Sequence, residues 1–311
     1  MWKGYNIQGR QFGMAVDDVT SLQIVLASGQ LVTASATSHP DLYWAARGGG
    51  TFGIITSITI NTVVFPRSAT VSIQFPNAST RYDVTRKYID WAPRQIVEFG
   101  SQINLYSDST NLVGWLMGGT AAQLQALLAT SGLLDIPGAQ VNLQNNCSTL
   151  NSRNFWINYS NVVTCGDDAA AAQTFAETFN VVPQPFAPIS PAFSFNEQTI
   201  DSAWPTAGPW PRVEIIDKNY FIQKDNQWSD DTLHGMIDRI GNFPVSQYFW
   251  AELTAFNISS TKTTNSSAFA WEDSAYALLR AEVSYGDNAT QHAYNSAWFD
   301  EFDEFLLPRT G

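Results

Sequence analysis

The chain has 311 residues, 44% of them hydrophobic and 13% aromatic, enough to bury a sizeable core in one large or two medium domains. Its net charge of -12 and pI near 4.5 argue against nucleic acid and anionic membrane as partners, because either would repel the surface. No apolar run approaches the roughly 18 residues that a membrane span needs, and no charged start followed by an apolar stretch marks a signal peptide.

In chain order, residues 21–26 and 31–34 read as two strands joined through Ser28-Gly29, a hairpin. His39-Pro40-Asp41 then opens a helix, where the missing proline N–H costs nothing and an acid suits the dipole. Gly48, Gly49 and Gly50 stop that helix, and their freedom serves either tight packing or the close approach of a ligand. Phe52-Gly53-Ile54-Ile55-Thr56 leads into a third strand.

Beyond Thr62 the chain changes character, and Phe65-Pro66 marks the predicted domain boundary: residues 1–65 on one side, 66–311 on the other. Residues 69–75 are extended, 79–91 helical, 103–106 and 112–117 paired strands, and 121–131 helical. The segment 183–211 holds seven prolines and reads as a long ordered loop. Strands follow at 213–223, 248–255 and 276–285, a helix at 230–240, and an amphipathic helix at 293–305. The fold class is α+β.

Cys147 and Cys165 are the chain's two cysteines, and a disulfide between them would contribute about 3 kcal/mol if the geometry allows. Six Asn-x-Ser/Thr sequons, at Asn77, Asn146, Asn158, Asn257, Asn265 and Asn288, point to a secreted glycoprotein. No Cys-x-x-Cys or His-Glu-x-x-His spacing supports a metal site.

One long motif carries a resemblance. Phe12-Gly13-Met14-Ala15-Val16-Asp17-Asp18-Val19, then Asp41-Leu42-Tyr43-Trp44-Ala45-Ala46-Arg47-Gly48-Gly49-Gly50, then Phe52-Gly53-Ile54-Ile55-Thr56 resemble the second FAD subdomain of the vanillyl-alcohol oxidase superfamily (PCMH-type FAD-binding domain). The likeness is to its berberine-bridge-enzyme-like and oligosaccharide oxidase group, and it continues more loosely through Ser267 to Asp273 and Asn295 to Trp298. It implies that residues 1–65 are part of an FAD-binding subdomain. The remainder would be an antiparallel-sheet substrate domain covered by helices. The resemblance also implies a preceding FAD subdomain with a flavin-linking His and a closing Tyr-x-Asn-Tyr-x-Asp segment. Neither lies in this sequence, which therefore reads as truncated at both ends, and His39, His234 and His292 match no flavin-linking position.

The resemblance implies FAD as cofactor, a small-molecule substrate such as a carbohydrate, and molecular oxygen as acceptor. It assigns Gly13, Asp17, Gly53, Ile54, Ile55 and Thr56 to the adenine and ribose end of FAD. Arg47 is read as the ion-pair partner of Asp41 or Asp17, with a phosphate clamp as the alternative, and Trp44 as a core residue. Strand alternation puts Glu252 on the opposite face from Ala251, and relatives carry an acid on a comparable strand, so Glu252 is the candidate base, with a merely surface or paired carboxylate as the alternative. Tyr248 is the second candidate. Two rivals stand beside the oxidase: a non-catalytic remnant binding sugar or protein through its eleven tryptophans and other aromatics, and a secreted hydrolase with paired carboxylates.

Overall fold

Alternation of apolar and polar residues at the start of the chain builds a small sheet. In the computed structural model, which describes residues 7–61, 66–149, 163–165, 214–244, 248–257, 267–269, 271, 273–285 and 288–310, strand β1 (Val19–Val25) pairs with β2 (Leu31–Ser35) on one side and β3 (Ile54–Ile60) on the other, all antiparallel. Gly29 turns the hairpin at φ 83°, a conformation that glycine adopts without a Cβ penalty. Ahead of β1 lies a single turn of helix, α1 (Gly9–Phe12), and between β2 and β3 lies α2 (Pro40–Ala46) with proline in its first turn. Helix α2 turns Tyr43 into a cluster with Val19, Leu22, Ile24, Val32 and Ala34, and the Tyr43 hydroxyl donates to the carbonyl of Val19.

The second sheet has eight strands: β4 (Ser68–Phe75), β5 (Phe99–Leu105), β6 (Thr110–Leu116), β7 (Gln140–Thr149), β8 (Val163–Cys165), β9 (Glu214–Gln223), β10 (Tyr248–Ala255) and β11 (Ala275–Tyr285). Their lateral order is β8-β7-β4-β6-β5-β10-β11-β9, antiparallel throughout. Registers align so that one line across seven strands reads Val141, Ile73, Leu112, Ile103, Leu253, Leu279, Tyr220. From Ile73 to Tyr220 this apolar row belongs to the face that the helices cover, while Val141 at its end is 49% exposed. Helices α3 (Arg81–Trp91), α4 (Ala121–Leu128), α5 (Asp230–Gly241) and α6 (Ala289–Thr310) bring Val84, Tyr88, Leu124, Leu128, Leu233, Met236, Phe299 and Phe302 into one core with it. Tyr88 is fully buried and fastens α3 to the strands: its hydroxyl donates to Ser101 O at 2.7 Å and accepts from Ala255 N at 3.0 Å.

The start of the chain is bolted to this sheet by Arg10. Its guanidinium, 2% exposed, donates to the carbonyls of Ala92 (3.0 Å), Phe99 (2.8 Å), Pro93 (3.1 Å) and Gln95 (2.6 Å). Gly100 lies against the same segment, where an added Cβ would sit 1.8 Å from Ile7 O.

Most predicted elements form, with instructive differences. Trp44, expected in the core, is 47% exposed, because the short α2 directs Tyr43 inward and its neighbour outward. Helix α4 stops at Leu128 instead of residue 131: Thr130 and Ser131 hydroxyls bond back to Leu127 O and Leu128 O, and Gly132 follows at φ 68°. Helix α6 runs longer than residues 293–305 at both ends. Strand β7 had no sequence signal, since its amide-rich residues favour turns until a neighbour pairs with them. Cys147 is disulfide-bonded, and its register partner is Cys165, the chain's other cysteine. The expected boundary at Phe65-Pro66 falls partly outside the described residues, and the proline-rich segment 183–211 falls wholly outside them.

Candidate functional site

Each step of one residue along a strand exchanges its faces, so the row beside the apolar one lies on the side away from the helices. That row reads Gln140, Gln74, Asn111, Asn104, Glu252, Arg280, Asn219, polar on all seven strands. Its two ends are exposed, and it is deepest at Asn104 (9% exposed) and Glu252 (6%).

The deep part is held by a chain of side-chain hydrogen bonds. Gln102 Nε2 donates to Asn104 Oδ1 at 2.9 Å and to Glu252 Oε2 at 3.4 Å, and Asn104 Nδ2 donates to Asn111 Oδ1 at 2.7 Å. On the other side of Glu252, Arg280 is its cross-strand partner. The Arg280 guanidinium donates to Asp217 (2.9 Å) and to Glu282, and lies 5.1 Å from the ring centroid of Trp250. Burial acts to lower the Arg280 pKa, and the carboxylates of Asp217, Glu282 and Glu252 outweigh it, so the guanidinium sits above its ordinary value. Three carboxylates thus share one fixed cation beside a half-buried tryptophan. A buried, oriented carboxylate in such a setting is suited to accept a proton.

Glu252 is therefore buried and hydrogen-bonded and not at the surface, while the other form of its alternative reading, a paired carboxylate, fits its place opposite Arg280. Tyr248 opens β10 opposite Ser284, four residues before Glu252. Arg280, Gln102, Asn104 and Asn111 escaped sequence reasoning. Their signal, polar residues at alternate strand positions, becomes a site only once the strand order is known.

The residues assigned to FAD sit on the small sheet and its approach. Gly13 turns at φ 80° after α1, and the Asp17 carboxylate accepts from Met14 N at 2.8 Å, capping a short turn. Gly53 packs where a Cβ would meet Val25 O at 2.5 Å, so its immediate task is close strand packing. Ile55 joins the small core, and Thr56 Oγ1 donates to Gln23 O at 3.4 Å. Ile54, by contrast, is 71% exposed on β3, which lies at the edge of its sheet, and Phe52 and Ile60 are exposed beside it. An edge strand offers unpaired backbone N–H and C=O groups next to apolar side chains, and Gly50 has open space where a Cβ would be. Those features fit the flat, hydrogen-bonding adenine and ribose end of FAD. Arg47 is buried, with its guanidinium 4.1 Å from the Tyr43 ring centroid. Among the described residues, no group of three or more His, Cys, Asp or Glu is placed to hold a metal ion.

The chain is similar in sequence to FAD-linked oxidoreductases and in fold to berberine-bridge-enzyme-like proteins and oligosaccharide oxidases, and these likenesses support FAD as its cofactor. It is 40% identical over 314 residues to the FAD-linked oxidoreductase pynB of Aspergillus niger, covering 99% of this chain and 57% of that protein. Among solved structures, berberine-bridge-enzyme-like 1 of Physcomitrella patens superposes with a TM-score of 0.70 at 17% identity, covering 99% of this chain and 58% of that one. The xylooligosaccharide oxidase of Myceliophthora thermophila, in complex with xylobiose, gives 0.66 at 19% identity over 99% and 58%. The chain thus spans a little over half the length of each. No family model matches it.

Proposed function

We propose that this chain carries the substrate face and the adenine-side edge of an FAD-dependent oxidase acting on an alcohol or lactol group of a carbohydrate, with molecular oxygen as acceptor. The observation that carries the reading is Glu252, a buried carboxylate oriented by Gln102 at the deepest point of a polar row. When bound, FAD supplies the acceptor for the hydride leaving the substrate carbon and passes the electron pair to oxygen. The β3 edge and Gly50 hold its adenine end, with Gly13, Asp17, Gly53, Ile55 and Thr56 shaping the surrounding backbone. Glu252 takes the hydroxyl proton as that carbon is oxidised, Gln102 and Asn104 orient the substrate hydroxyls, and Arg280 favours the charged form of Glu252. Trp250 offers a ring face for stacking, and Tyr248, the second candidate, opens the same strand.

Neutral amides suit hydroxyl-rich ligands, and a relative solved with xylobiose supports a carbohydrate substrate. Some of the aromatics that motivate the remnant reading serve the core instead: Phe243 stacks on Phe249 and Trp298 on Phe302, and Trp298 meets Phe243 and Phe249 edge to face. Secretion and glycosylation belong to the same proposal, supported by the disulfide-bonded Cys147 and by exposed sequons at Asn77 and Asn288. Asn257 is the least suited acceptor, since its amide donates to Pro93 O at 2.9 Å. Asn158 and Asn265 lie outside the described residues.

The test is the visible spectrum of the purified chain after added FAD and gel filtration. Flavin bands that follow the protein are the expected result, and a folded, colourless protein overturns the proposal. In the flavin-loaded form, Glu252→Gln should slow substrate oxidation by at least about a hundredfold, the usual contribution of a positioned base.

A further inference from the structure

Strand β10 runs from the acid toward the seam where the two sheets meet. Glu252 and Thr254 share its face away from the helices, since the register with Asn104 and Gln102 of β5 is unbroken between them. Just past the strand, Phe256 joins a buried cluster with Leu278 and Phe269 and with Met14 and Val16, which lead into the small sheet. Thr254 is therefore the last polar side chain on this face of β10 before the seam.

Thr254 is 1% exposed, and its hydroxyl makes no hydrogen bond among the described residues. Its partners in register do not supply one: Gln102 directs its amide N–H groups to Asn104 and Glu252, and Leu278 has no polar atom. A buried hydroxyl left unpaired destabilises a fold relative to an apolar group of the same shape. Thr110, the other buried threonine in this state, lies on the helix-covered side opposite Leu105 and Phe75. Only Thr254 of the two stands on the side of Glu252.

We infer that the Thr254 hydroxyl donates a hydrogen bond to the polar edge of the flavin's isoalloxazine ring, beside the candidate base. The inference rests on FAD as the cofactor, as given above. Two features select the ring over a substrate hydroxyl. Thr254 lies on the seam side of Glu252, toward the segment that carries Gly13 and Asp17, and not along the polar row. Its surroundings are also apolar and flat, with Leu278 beside it and Phe221 next in register, stacked on Trp271 at 5.2 Å and 16°. Such a lining suits a planar ring that needs a single polar contact at its rim. The carbonyl oxygens and nitrogens of that rim gather negative charge when the ring is reduced, so a donor there favours the reduced form.

The experiment is a fluorescence titration of the intact chain with lumiflavin, the bare ring, followed by the reduction potential of the bound ring. Thr254→Val should weaken lumiflavin binding about fivefold, the value of one net hydrogen bond, and should lower the potential. Thr254→Ser keeps the hydroxyl and should match the parent in both. Without flavin, Thr254→Val should unfold at a denaturant midpoint no lower than the parent's, because it removes an unpaired polar group. A parent chain that does not bind lumiflavin overturns the inference, as does a valine variant that binds it equally well. So does a serine variant that loses as much as valine, or a flavin-free valine variant whose midpoint falls, which would mark the hydroxyl as structural. The two proposals fail separately. A chain that stays colourless with FAD but binds lumiflavin through Thr254 keeps this contact and loses the oxidase reading. A chain that retains FAD while its lumiflavin affinity ignores Thr254 does the reverse.

Discussion

Two neighbouring rows cross the large sheet one residue apart and share their strands, hydrogen bonds and registers, yet they have opposite fates. Ile73, Leu112, Ile103, Leu253 and Leu279 are buried against helices, while Gln74, Asn111, Asn104, Glu252 and Arg280 face away from them. Alternation alone sorts structure from chemistry here, and a slip of one residue in any strand would exchange them. The apolar row also fixes the positions of the polar one: Glu252 is placed by Ala251 and Leu253 on either side, which are both 0% exposed.

The comparison breaks most sharply in the apolar row. Ile103→Ala should cost about 2–5 kcal/mol in denaturant unfolding, since it leaves a cavity in the core between the sheet and its helices. Tyr88→Phe comes next, at about 1–3 kcal/mol, because Ser101 O and Ala255 N lose a buried partner. That position also carries a pH signature. Burial raises the Tyr88 pKa above its ordinary value, against the hydrogen bonds from Ser101 and Ala255. The folded state therefore holds this proton more tightly than the unfolded one. The stability it contributes is complete below about pH 10 and is lost as pH rises toward the folded value. In the phenylalanine variant that alkaline decline should shrink, and an unchanged profile would show that another group dominates.

In the polar row the expected effects move from stability to chemistry. Arg280→Gln removes the cation that favours charged carboxylates, so the acid limb of the oxidation rate of the flavin-loaded protein should move to higher pH. An acid limb that stays in place would sever Arg280 from the candidate base. Gln74→Ala is the smallest, within about 0.5 kcal/mol of the parent by thermal unfolding, as expected of an exposed side chain.

The fold was legible wherever the signal was local. The hairpin of residues 21–34, the proline-led helix at Pro40 and the strand at residues 248–255 each announce themselves within a dozen residues. Strand order was not, because β5 and β10 become neighbours across about half the chain, and no local pattern encodes that pairing. The same gap separates the two halves of the site. Glu252 emerged from alternation and resemblance together, whereas Arg280 and Asn104 matter only because register sets them on either side of it. Trp44 misled because a seven-residue helix has too few turns for composition to say which aromatic faces in.

The way the small sheet begins and ends has a consequence of its own. Val19 and Ile60 are register partners, and Asn61 N donates to Asp18 O at 2.8 Å, so the segment leaves and re-enters the molecule at one point. Residues before it, through Arg10, are fastened to the large sheet at Phe99, and those after it, from Ser68 onward, enter that sheet. The small sheet is thus a cassette, with its own core of Leu22, Ile24, Val32 and Tyr43, that can be excised by joining Asp18 to Asn61 through a short linker. The polar row would then be left on a self-contained scaffold, open to recombination with a different cofactor-bearing module.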